Sequence, residues 1–273
     1  MKLAAIQMVS ATGVESNLAA AHALLREAAA QGAELAVLPE YFCIMGLKDT
    51  DKLAAREAFG DGPIQDFLSR SAKELGLWIV GGTLPLACSD PGRVRNSSLA
   101  FAPSGVCVAR YDKMHLFRFT DGREAYDETR VLQPGTGPVG FELASTDGHV
   151  YKVGMSVCYD LRFPELYRAL NADLLLVPSA FTTTTGQAHW EILLRARPSR
   201  GWGNFFSFLR VYRRSGSGQR QYPNGDRSCH AGGEGGARLD SPDVFFNGCR
   251  GGRSCGLCRL RHGLKFITSI CSF

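Results

Sequence analysis

The sequence predicts an α/β protein, and two observations favour this class. Apolar runs of strand length alternate with segments of helical periodicity along residues 3–197. In the middle of the chain, Ser98–Phe101 and Val106–Tyr111 are joined by a short Pro-Ser-Gly segment, which is typical of two paired strands. Such a pair is antiparallel, so the sheet is not expected to be purely parallel. Hydrophobic residues make up 45% of the 273 residues, which favours a packed core over disorder.

The first half of the chain alternates short strands with two helices. The predicted strands are Leu3–Val9, Leu35–Leu38 and Leu77–Val80. The first helix is predicted over Asn17–Gln31, with Ser16 or Asn17 as its N-cap. The second is predicted over Pro63–Leu75, because proline is favoured in a first helical turn and Gly76 follows the last one.

The second half continues the alternation after a loop rich in glycine and proline at 134–138. Its predicted elements are a strand over Val150–Val157, a helix over Phe163–Leu170, a strand over Leu174–Val177 and a helix over Gln187–Arg197. No internal repeat is present. We therefore expect helices packed on a sheet.

Charge is distributed unevenly along the chain. Residues 1–197 contain 19 Lys and Arg against 22 Asp and Glu, whereas residues 198–273 contain 12 against 4. This tail also holds 14 of the 31 glycines and 5 of the 9 cysteines. The formal net charge of +5 is thus a property of the tail. We expect residues 1–197 to form the functional domain and residues 198–273 to be an aberrant Arg/Gly/Ser/Cys-rich tail.

The apolar runs are too short to cross a membrane. They fall far below the roughly 20 residues that a bilayer requires. Met1 leads directly into the strand-like run Leu3–Ile6, without the basic flank and cleavage site of a signal peptide. These features predict a cytoplasmic globular protein with no membrane partner.

Three predicted strands lead into a residue that can take part in catalysis: Glu40, Lys113 and Cys158. Sites assemble at the carboxyl ends of strands in an open α/β sheet. A cysteine with a pKa near ~8.5 is mostly a thiol at neutral pH, so a carboxylate can remove its proton. An ammonium group can favour the thiolate and bind an oxyanion. Spacing alone leaves open a small buried cysteine beside solvated charges.

The sequence around these residues is more specific. Cys158–Glu165, which reads Cys-Tyr-Asp-Leu-Arg-Phe-Pro-Glu, resembles the nucleophile segment of the nitrilase (carbon–nitrogen hydrolase) superfamily. Leu38–Glu40 resembles that family's general-base segment, and Asp112–Phe117 its lysine segment. Further similar segments are Pro178–Phe181, Gly186–Glu191 and Leu194–Arg197. The resemblance runs from Leu3 to Arg197.

This resemblance implies a four-layer α-β-β-α sandwich that hydrolyses non-peptide C–N bonds without a metal or cofactor. It implies that Cys158 is the nucleophile and that Glu40 is first the base and then the acid toward departing ammonia. Lys113 and the backbone N–H of Tyr159 would hold the oxyanion. Glu128 falls where the family places a second glutamate that orients the lysine and the substrate. A solvated loop carboxylate is the alternative for Glu128.

The nucleophile segment together with Ala-His-Trp-Glu is most similar to the branch that contains deaminated-glutathione amidase, with ω-amidase, which acts on 2-oxoglutaramate, as a near neighbour. Both substrates are small and carry an amide beside carboxylates; a nitrile is less expected. Arg162 lies four residues after Cys158, where a guanidinium can clamp a carboxylate by paired hydrogen bonds. An ion pair with Glu165 or Asp160 is the alternative. The family also implies a homo-oligomer, which the tail puts in question.

Two histidines and three further cysteines of this region are expected to be structural. The resemblance assigns no proton transfer to His115 or His189. Cys43, Cys88 and Cys107 lack reactive neighbours in the sequence and are interpreted as packing residues.

After Arg197 the chain departs from the family, which usually continues with Ala-Ile-Glu and further strands. Here it reads Pro198-Ser199-Arg200. Codons such as GCC ATC GAG, read one base late, encode Pro-Ser followed by Arg or Ser, so we infer a frameshift near codon 198. Lost strands would expose sheet edges and apolar surface. An inactive or misfolded remnant of an amidase is therefore the main alternative to an active enzyme.

The composition of the tail suggests two other functions. Cys255 and Cys258 form a Cys-x-x-Cys pair, and Cys229, His230 and Cys249 lie upstream. Their irregular spacings do not favour a zinc site. The arginines resemble a nucleic-acid-binding arm, but no aromatic platform accompanies them. We expect no metal and no nucleic-acid partner, only a small-molecule amide.

Overall fold

The computed structural model describes residues 1–120, 122, 125–197, 204–205 and 265–271. The strands in chain order are β1 (Lys2–Gln7), β2 (Leu35–Val37), β3 (Trp78–Ala87), β4 (Val94–Phe101), β5 (Cys107–Asp112), β6 (Arg118–Thr120), β7 (Ala125–Asp127), β8 (Val139–Ala144), β9 (Val150–Met155), β10 (Leu174–Leu176), β11 (Asn204–Phe205) and β12 (Lys265–Cys271). The helices are α1 (Val14–Ala30), α2 (Asp51–Ala54), α3 (Pro63–Leu75), α4 (Pro164–Leu170) and α5 (Thr183–Ala196).

The strands form two mixed sheets and a hairpin. The first sheet has six strands in the order β12-β1-β2-β3-β4-β5, and the second has four in the order β11-β10-β9-β8. Strands β12, β1, β2 and β3 are parallel, whereas β4 and β5 are antiparallel to their neighbours. The predicted antiparallel pair in mid-chain is thus confirmed. Strands β6 and β7 form a separate hairpin.

Two hydrophobic cores arrange these elements in layers. One core joins the facing surfaces of the two sheets and includes residues of α4 and α5. The other packs α1 and α3 against the outer surface of the first sheet. The layers of the described structure therefore have the order helix–sheet–sheet–helix. This confirms the predicted α/β four-layer sandwich for the described residues.

Local signals predicted α3 well and α1 less well. Helix α3 has the predicted bounds, with Gly76 in the left-handed conformation at its end. Helix α1 begins at Val14, and its N-cap is Gly13, so the prediction of a cap at Ser16 or Asn17 is wrong. The reason is tertiary: the Asn17 amide donates to the carbonyl oxygens of Ala11 and Cys43, both at 2.9 Å.

The observed bounds of most elements differ by a few residues from the predicted bounds. Helix α5 begins four residues before the predicted Gln187, where Thr182 accepts a hydrogen bond from the Thr185 N–H as N-cap. Strand β8 was not predicted from the sequence, and it pairs with β9 over its whole length. None of the helices that the described residues form is long and apolar enough to cross a membrane.

The tail contributes two strands to the described structure. Strand β12 lies parallel to β1 at the edge of the first sheet, and β11 lies parallel to β10. Neither strand was expected from the sequence, because the periodicity of residues 198–273 is weak. The tail residues whose spacings do not favour a zinc site, and all the tail arginines, lie outside the described residues; the former are Cys229, His230, Cys249, Cys255 and Cys258.

Gly82 in β3 allows the chain to approach Pro39 closely. A Cβ atom at Gly82 would lie 1.9 Å from the Pro39 carbonyl oxygen, so alanine cannot fit unless the segment before Glu40 moves. Gly82→Ala is expected to lower the free energy of unfolding by about 1–3 kcal/mol. Urea denaturation measures this loss. Gly137→Ala is the matched control, because open space surrounds Gly137, and an equal loss in both variants would contradict the explanation.

Candidate active site

The two sheets bring together the three residues that the strand ends predicted. Glu40 lies three residues after β2, Lys113 follows β5 directly, and Cys158 lies three residues after β9. All three side chains line one pocket, although they are far apart in the chain. The pocket therefore lies where both sheets present the carboxyl ends of strands.

Cys158 occupies a sharp turn after β9. Its φ is 49°, a left-handed conformation that costs a non-glycine residue of order 1–3 kcal/mol. Its backbone N–H donates to the Pro178 carbonyl oxygen at 2.9 Å, and the Val157 N–H donates to the Asp160 carboxylate at 2.8 Å. A 3-10 turn over Cys158–Arg162 follows. These bonds hold the thiol at the pocket surface, where Cys158 is 7% exposed.

Glu40 is buried and receives three hydrogen bonds. The Lys113 ammonium and the Asn96 amide each donate to Oε1 at 3.0 Å, and the Ala180 N–H donates to Oε2 at 2.8 Å. Asn96 and Ala180 were not predicted as site residues. Asn96 left a signal, because asparagine is uncommon in a buried strand such as β4. Ala180 contributes a backbone group, which no side-chain motif reveals.

Glu128 lies on the other side of the lysine. Its carboxylate is 2.8 Å from the Lys113 ammonium, and it accepts a hydrogen bond from the Phe117 N–H at 2.7 Å. The Tyr41 hydroxyl donates to the same carboxylate at 2.7 Å. Glu128 is therefore not the solvated loop carboxylate that the sequence left as an alternative. Tyr41, which follows Glu40 with a φ of 59°, was not predicted as a site residue.

Burial and the neighbouring charges set the proton affinities of the acid and the thiol. Burial raises the pKa of Glu40, and the Glu128 charge adds to this, although the Lys113 charge opposes it. Burial and the Glu40 charge raise the pKa of Cys158 well above its ordinary value. In the resting site Cys158 therefore keeps its proton, beside a carboxylate of increased basicity.

For Lys113 and Glu128, the charges of the neighbouring groups outweigh the effect of burial on the pKa. Burial alone lowers the pKa of Lys113, but the charges of Glu128 and Glu40 outweigh it and hold that pKa well above its usual value. Burial alone raises the pKa of Glu128, but the Lys113 charge outweighs it and the net shift is downward. Lys113 is thus a permanent ammonium and Glu128 a permanent carboxylate at neutral pH.

The pocket encloses roughly 280 Å³ of open space and has aromatic walls. It is lined by Glu40, Lys113, Phe117, Glu128, Cys158, Tyr159, Arg162, Ala180, Phe181, Thr182 and Thr185. The Tyr159 N–H has no hydrogen-bond acceptor within the described part of the chain. Tyr159 and Lys113 both line the pocket beside Cys158, so this N–H and the Lys113 ammonium are candidate donors to a bound oxygen.

Arg162 is half-buried at the pocket wall, and its guanidinium lies 4.9 Å from the Tyr159 ring centroid and 5.3 Å from that of Phe181. The alternative of an ion pair with Glu165 or Asp160 is wrong. Glu165 pairs with Arg168 at 3.0 Å, and Arg162 forms no ion pair with any carboxylate among the residues described. Its guanidinium therefore presents its charge to the pocket.

Asp160 instead connects the lysine loop to the cysteine turn. It is fully buried, and it accepts hydrogen bonds from the Tyr111 hydroxyl at 2.8 Å and from the His115 N–H at 3.0 Å. The His115 ring is 2.6 Å from the same carboxylate and stacks on Phe163. His189 contacts Arg162 at 3.2 Å. Neither histidine reaches the thiol through a described hydrogen bond.

The other described cysteines lie outside the pocket. Cys43 is buried in the outer core, and burial raises the pKa of its thiol. Burial also raises the pKa of Cys107, and the Cys88 sulfur contacts backbone carbonyl oxygens of its own turn. Among the described residues, no group of three or more His, Cys, Asp or Glu side chains has the arrangement of a metal site.

Comparison with known protein families agrees with this geometry. Residues 2–201 match the carbon–nitrogen hydrolase family. The chain belongs to this family. The pocket described above is thus the candidate active site of a carbon–nitrogen hydrolase.

Two curated relatives of this hydrolase are named as amidases. The deaminated glutathione amidase of Synechocystis sp. (strain PCC 6803 / GT-S) is 38% identical over 200 residues, which cover 71% of each chain. The omega-amidase NIT2 of Homo sapiens is 36% identical over 201 residues, which cover 72% of this chain and 69% of the relative. The family match over residues 2–201 contains Glu40, Lys113 and Cys158.

Solved structures show the same fold. Saccharomyces cerevisiae Nit3, described as a member of branch 10 of the nitrilase superfamily, has a TM-score of 0.64 and 26% identity, with 76% of this chain and 74% of that chain covered. The C. elegans NitFhit protein has a TM-score of 0.65 and 30% identity over 76% of this chain, which spans about half (51%) of the NitFhit chain. The carbon–nitrogen hydrolase described here therefore has a nitrilase-superfamily fold.

Proposed function

We propose that this carbon–nitrogen hydrolase is a thiol-dependent amidase that acts on a small, carboxylate-bearing amide. The observation that supports the proposal most strongly is the contact of the Lys113 ammonium with both Glu40 and Glu128 in the pocket that Cys158 lines. This arrangement supplies a nucleophile, a base and an oxyanion donor within one small volume.

In the first half-reaction the Cys158 thiol transfers its proton to the Glu40 carboxylate while its sulfur attacks the amide carbonyl carbon. A C–S bond forms, and the carbonyl oxygen becomes an oxyanion that accepts hydrogen bonds from Lys113 and the Tyr159 N–H. One such donor is typically worth ~2.7–4 kcal/mol of barrier. Glu40 then protonates the amide nitrogen, the C–N bond breaks, and the amine leaves a thioester on Cys158.

The second half-reaction uses the same groups in reverse. Water takes the place of the departed amine. Glu40 accepts a proton from this water while the water oxygen attacks the thioester carbon. The oxyanion collapses, the C–S bond breaks, and the Cys158 sulfur recovers a proton from Glu40 as the carboxylic acid leaves. The leaving amine is ammonia when the substrate is a primary amide.

The names of the relatives support an amide with a carboxylate on its acyl side. Glutathione has a carboxylate on the acyl side of its γ-amide bond, and an ω-amide is the terminal amide of an acid chain. The names deaminated glutathione amidase and omega-amidase therefore both indicate an acyl half that carries an acid. Arg162 provides a cation at the pocket wall that no described carboxylate neutralises. We therefore assign the substrate carboxylate to Arg162, with the amide carbonyl beside Cys158.

A solved relative supports a nucleophilic cysteine at this position of the fold. The amidase from Nesterenkonia sp. AN1 is 25% identical, with a TM-score of 0.61 over 76% of this chain and 78% of that chain. A variant of it is described as carrying a Michael adduct of acrylamide at the active-site cysteine. The adduct shows that the cysteine of that relative is nucleophilic, which supports the nucleophilic role that we propose for Cys158.

The test is hydrolysis by the purified full-length chain. 2-Oxoglutaramate is assayed for ammonia, and deaminated glutathione for cysteinylglycine, the amine that leaves when its acyl–nitrogen bond breaks. We expect product from at least one of them, and loss of activity in step with alkylation of Cys158. Folded protein that releases no product from either substrate would support the alternative of an inactive remnant.

The pKa shifts predict a pH profile with an acid limb and no alkaline limb in the usual assay range. Glu40 must be ionised to accept the thiol proton, and its pKa is raised above the ordinary glutamate value of about 4.3. Activity should therefore rise with pH through that raised value. The pKa values of Cys158 and Lys113 are both raised, so neither group loses its proton near neutrality. A plot of kcat/KM against pH that falls between pH 7 and 9 would contradict this assignment.

A further inference from the structure

The two carboxylate oxygens of Glu40 have different surroundings. Oε1 accepts hydrogen bonds from the Lys113 ammonium and from the Asn96 amide, both at 3.0 Å. Among the described N–H groups, that of Ala180 alone donates to Oε2, at 2.8 Å. Because a carboxylate oxygen has two acceptor positions, the two donors fill Oε1, whereas Oε2 keeps one position for a further proton.

The Ala180 N–H also relates Oε2 to the Cys158 sulfur. Burial and the Glu40 charge raise the pKa of the Cys158 thiol, but a hydrogen bond from the Ala180 N–H to the sulfur opposes this rise. One backbone N–H thus contacts both the sulfur and Oε2. The oxygen with the free acceptor position is therefore the one on the side of the thiol.

Asn96 connects the base to the lysine through both its side chain and its main chain. It lies in β4 and is 3% exposed. While its amide donates to Glu40, its carbonyl oxygen accepts a hydrogen bond from the Lys113 N–H at 3.0 Å. Asn96 is not among the residues that line the pocket, so it acts on the reaction through Glu40 and not through contact with a substrate.

We propose that Asn96 is a positioning residue that keeps the transferred proton off Oε1 of Glu40, so that Oε2 accepts the proton from Cys158 and delivers it to the leaving nitrogen. The proposal rests on the proposed amidase function and assigns its proton transfer to one atom. Lys113 fills the other position of Oε1, but its charge also serves the oxyanion. The Asn96 amide carries no charge and does not titrate, so its donor can be removed without a change in the net charge of the site.

The other titratable groups that face Glu40 lose their protons in a different pH range. They are Lys113 after β5, Glu128 after β7, Cys158 after β9 and the neighbouring Tyr41. The net effect of burial and charge raises the pKa values of Lys113 and Cys158 and lowers that of Glu128. Burial and the two carboxylate charges raise the pKa of Tyr41 well above its ordinary value. The acid limb of the pH profile therefore reports Glu40.

The first test is Asn96→Leu in the full chain, which removes the donor at nearly constant volume. Loss of a hydrogen bond to the ionised carboxylate should move the acid limb of kcat/KM upward by about one pH unit. On the plateau kcat should fall about tenfold, because Oε1 can now take the proton unproductively. KM should stay within about twofold, since Asn96 lies outside the pocket.

Two further variants separate this effect from a disturbed fold. Ser98→Ala is the matched control, because Ser98 is buried in the same strand and its hydroxyl has no hydrogen-bond partner among the described residues; its acid limb should not move. Asn96→Asp keeps the size of the side chain, but a carboxyl can donate to Oε1 only while it is protonated. The Lys113 charge keeps the proton of this carboxyl pair on the introduced group. When that proton is lost the two carboxylates repel, so the profile should gain an alkaline limb.

Alkylation of Cys158 by iodoacetamide gives a second readout that does not need amide hydrolysis. The sulfur displaces iodide, a C–S bond forms and Glu40 accepts the thiol proton, so the rate on the Cys158 peptide, followed by mass spectrometry against pH, reports the same base.

The two levels of the proposal can fail separately. If the alkylation limb moves upward in Asn96→Leu while no amide is hydrolysed, the role of Asn96 stands and the amidase function fails. If amides are hydrolysed but folded Asn96→Leu keeps the acid limb of the unaltered chain, the role of Asn96 is wrong and the amidase function stands. Should Asn96→Leu not fold, a profile of Asn96→Asp without an alkaline limb overturns the proposal.

Discussion

Replacing Cys158 by alanine is expected to lower amide hydrolysis by about 10⁴-fold or more. The variant retains the Lys113 contacts with Glu40 and Glu128, but it has no atom that can form the thioester. Alanine also lacks the thiol proton that Glu40 would pass to the leaving nitrogen. The measurement is product release at saturating substrate, with mass spectrometry to show that the acylated enzyme no longer forms.

A second cysteine variant provides the control for this experiment. Cys107 is half-buried in β5, outside the pocket, and Cys107→Ala removes a thiol without altering the site. It should keep the activity of the unaltered chain within about twofold. Substantial hydrolysis by the Cys158→Ala protein would show that another group attacks the amide, and the proposed mechanism would then be wrong.

Lys113→Met is expected to reduce both stability and activity. Lys113 is 1% exposed, and its ammonium lies between the buried carboxylate of Glu40 and the partly buried carboxylate of Glu128. Removal of one partner from a buried ion pair typically costs 3–5 kcal/mol, because the remaining charge is left uncompensated. Loss of one oxyanion donor should lower kcat by about 10²–10³-fold. Urea denaturation and steady-state kinetics measure the two effects.

The stability loss should depend on pH. In the unaltered chain the pKa of Glu128 is lowered, so its ion pair stabilises the fold at neutral pH and is lost as the pH falls. In Lys113→Met the two carboxylates repel each other, their pKa values rise, and one of them can bind a proton as the pH falls. The difference in unfolding free energy between the two proteins should therefore shrink from pH 7 toward pH 5. A difference that does not change with pH would contradict this account.

The sequence predicted the parts of the site that depend on short segments of the chain. Strand patterns and the motifs around Glu40, Lys113 and Cys158 indicated where each side chain would leave its sheet. The bounds of α3 were predicted because proline and glycine act on the backbone where they stand. The four-layer fold followed from the resemblance of residues 3–197 to the nitrilase superfamily, which the family match supports.

Contacts between distant segments were decided by the tertiary structure. The Glu40 carboxylate is held by Asn96, 56 residues away, and by the Ala180 N–H, 140 residues away. Tyr41 supports Glu128 across 87 residues. Strand β12 joins β1 although the weak periodicity of the tail did not predict it. A local pattern records which backbone conformation a segment prefers, whereas the choice of partner depends on how separate segments pack, and short motifs do not record that packing.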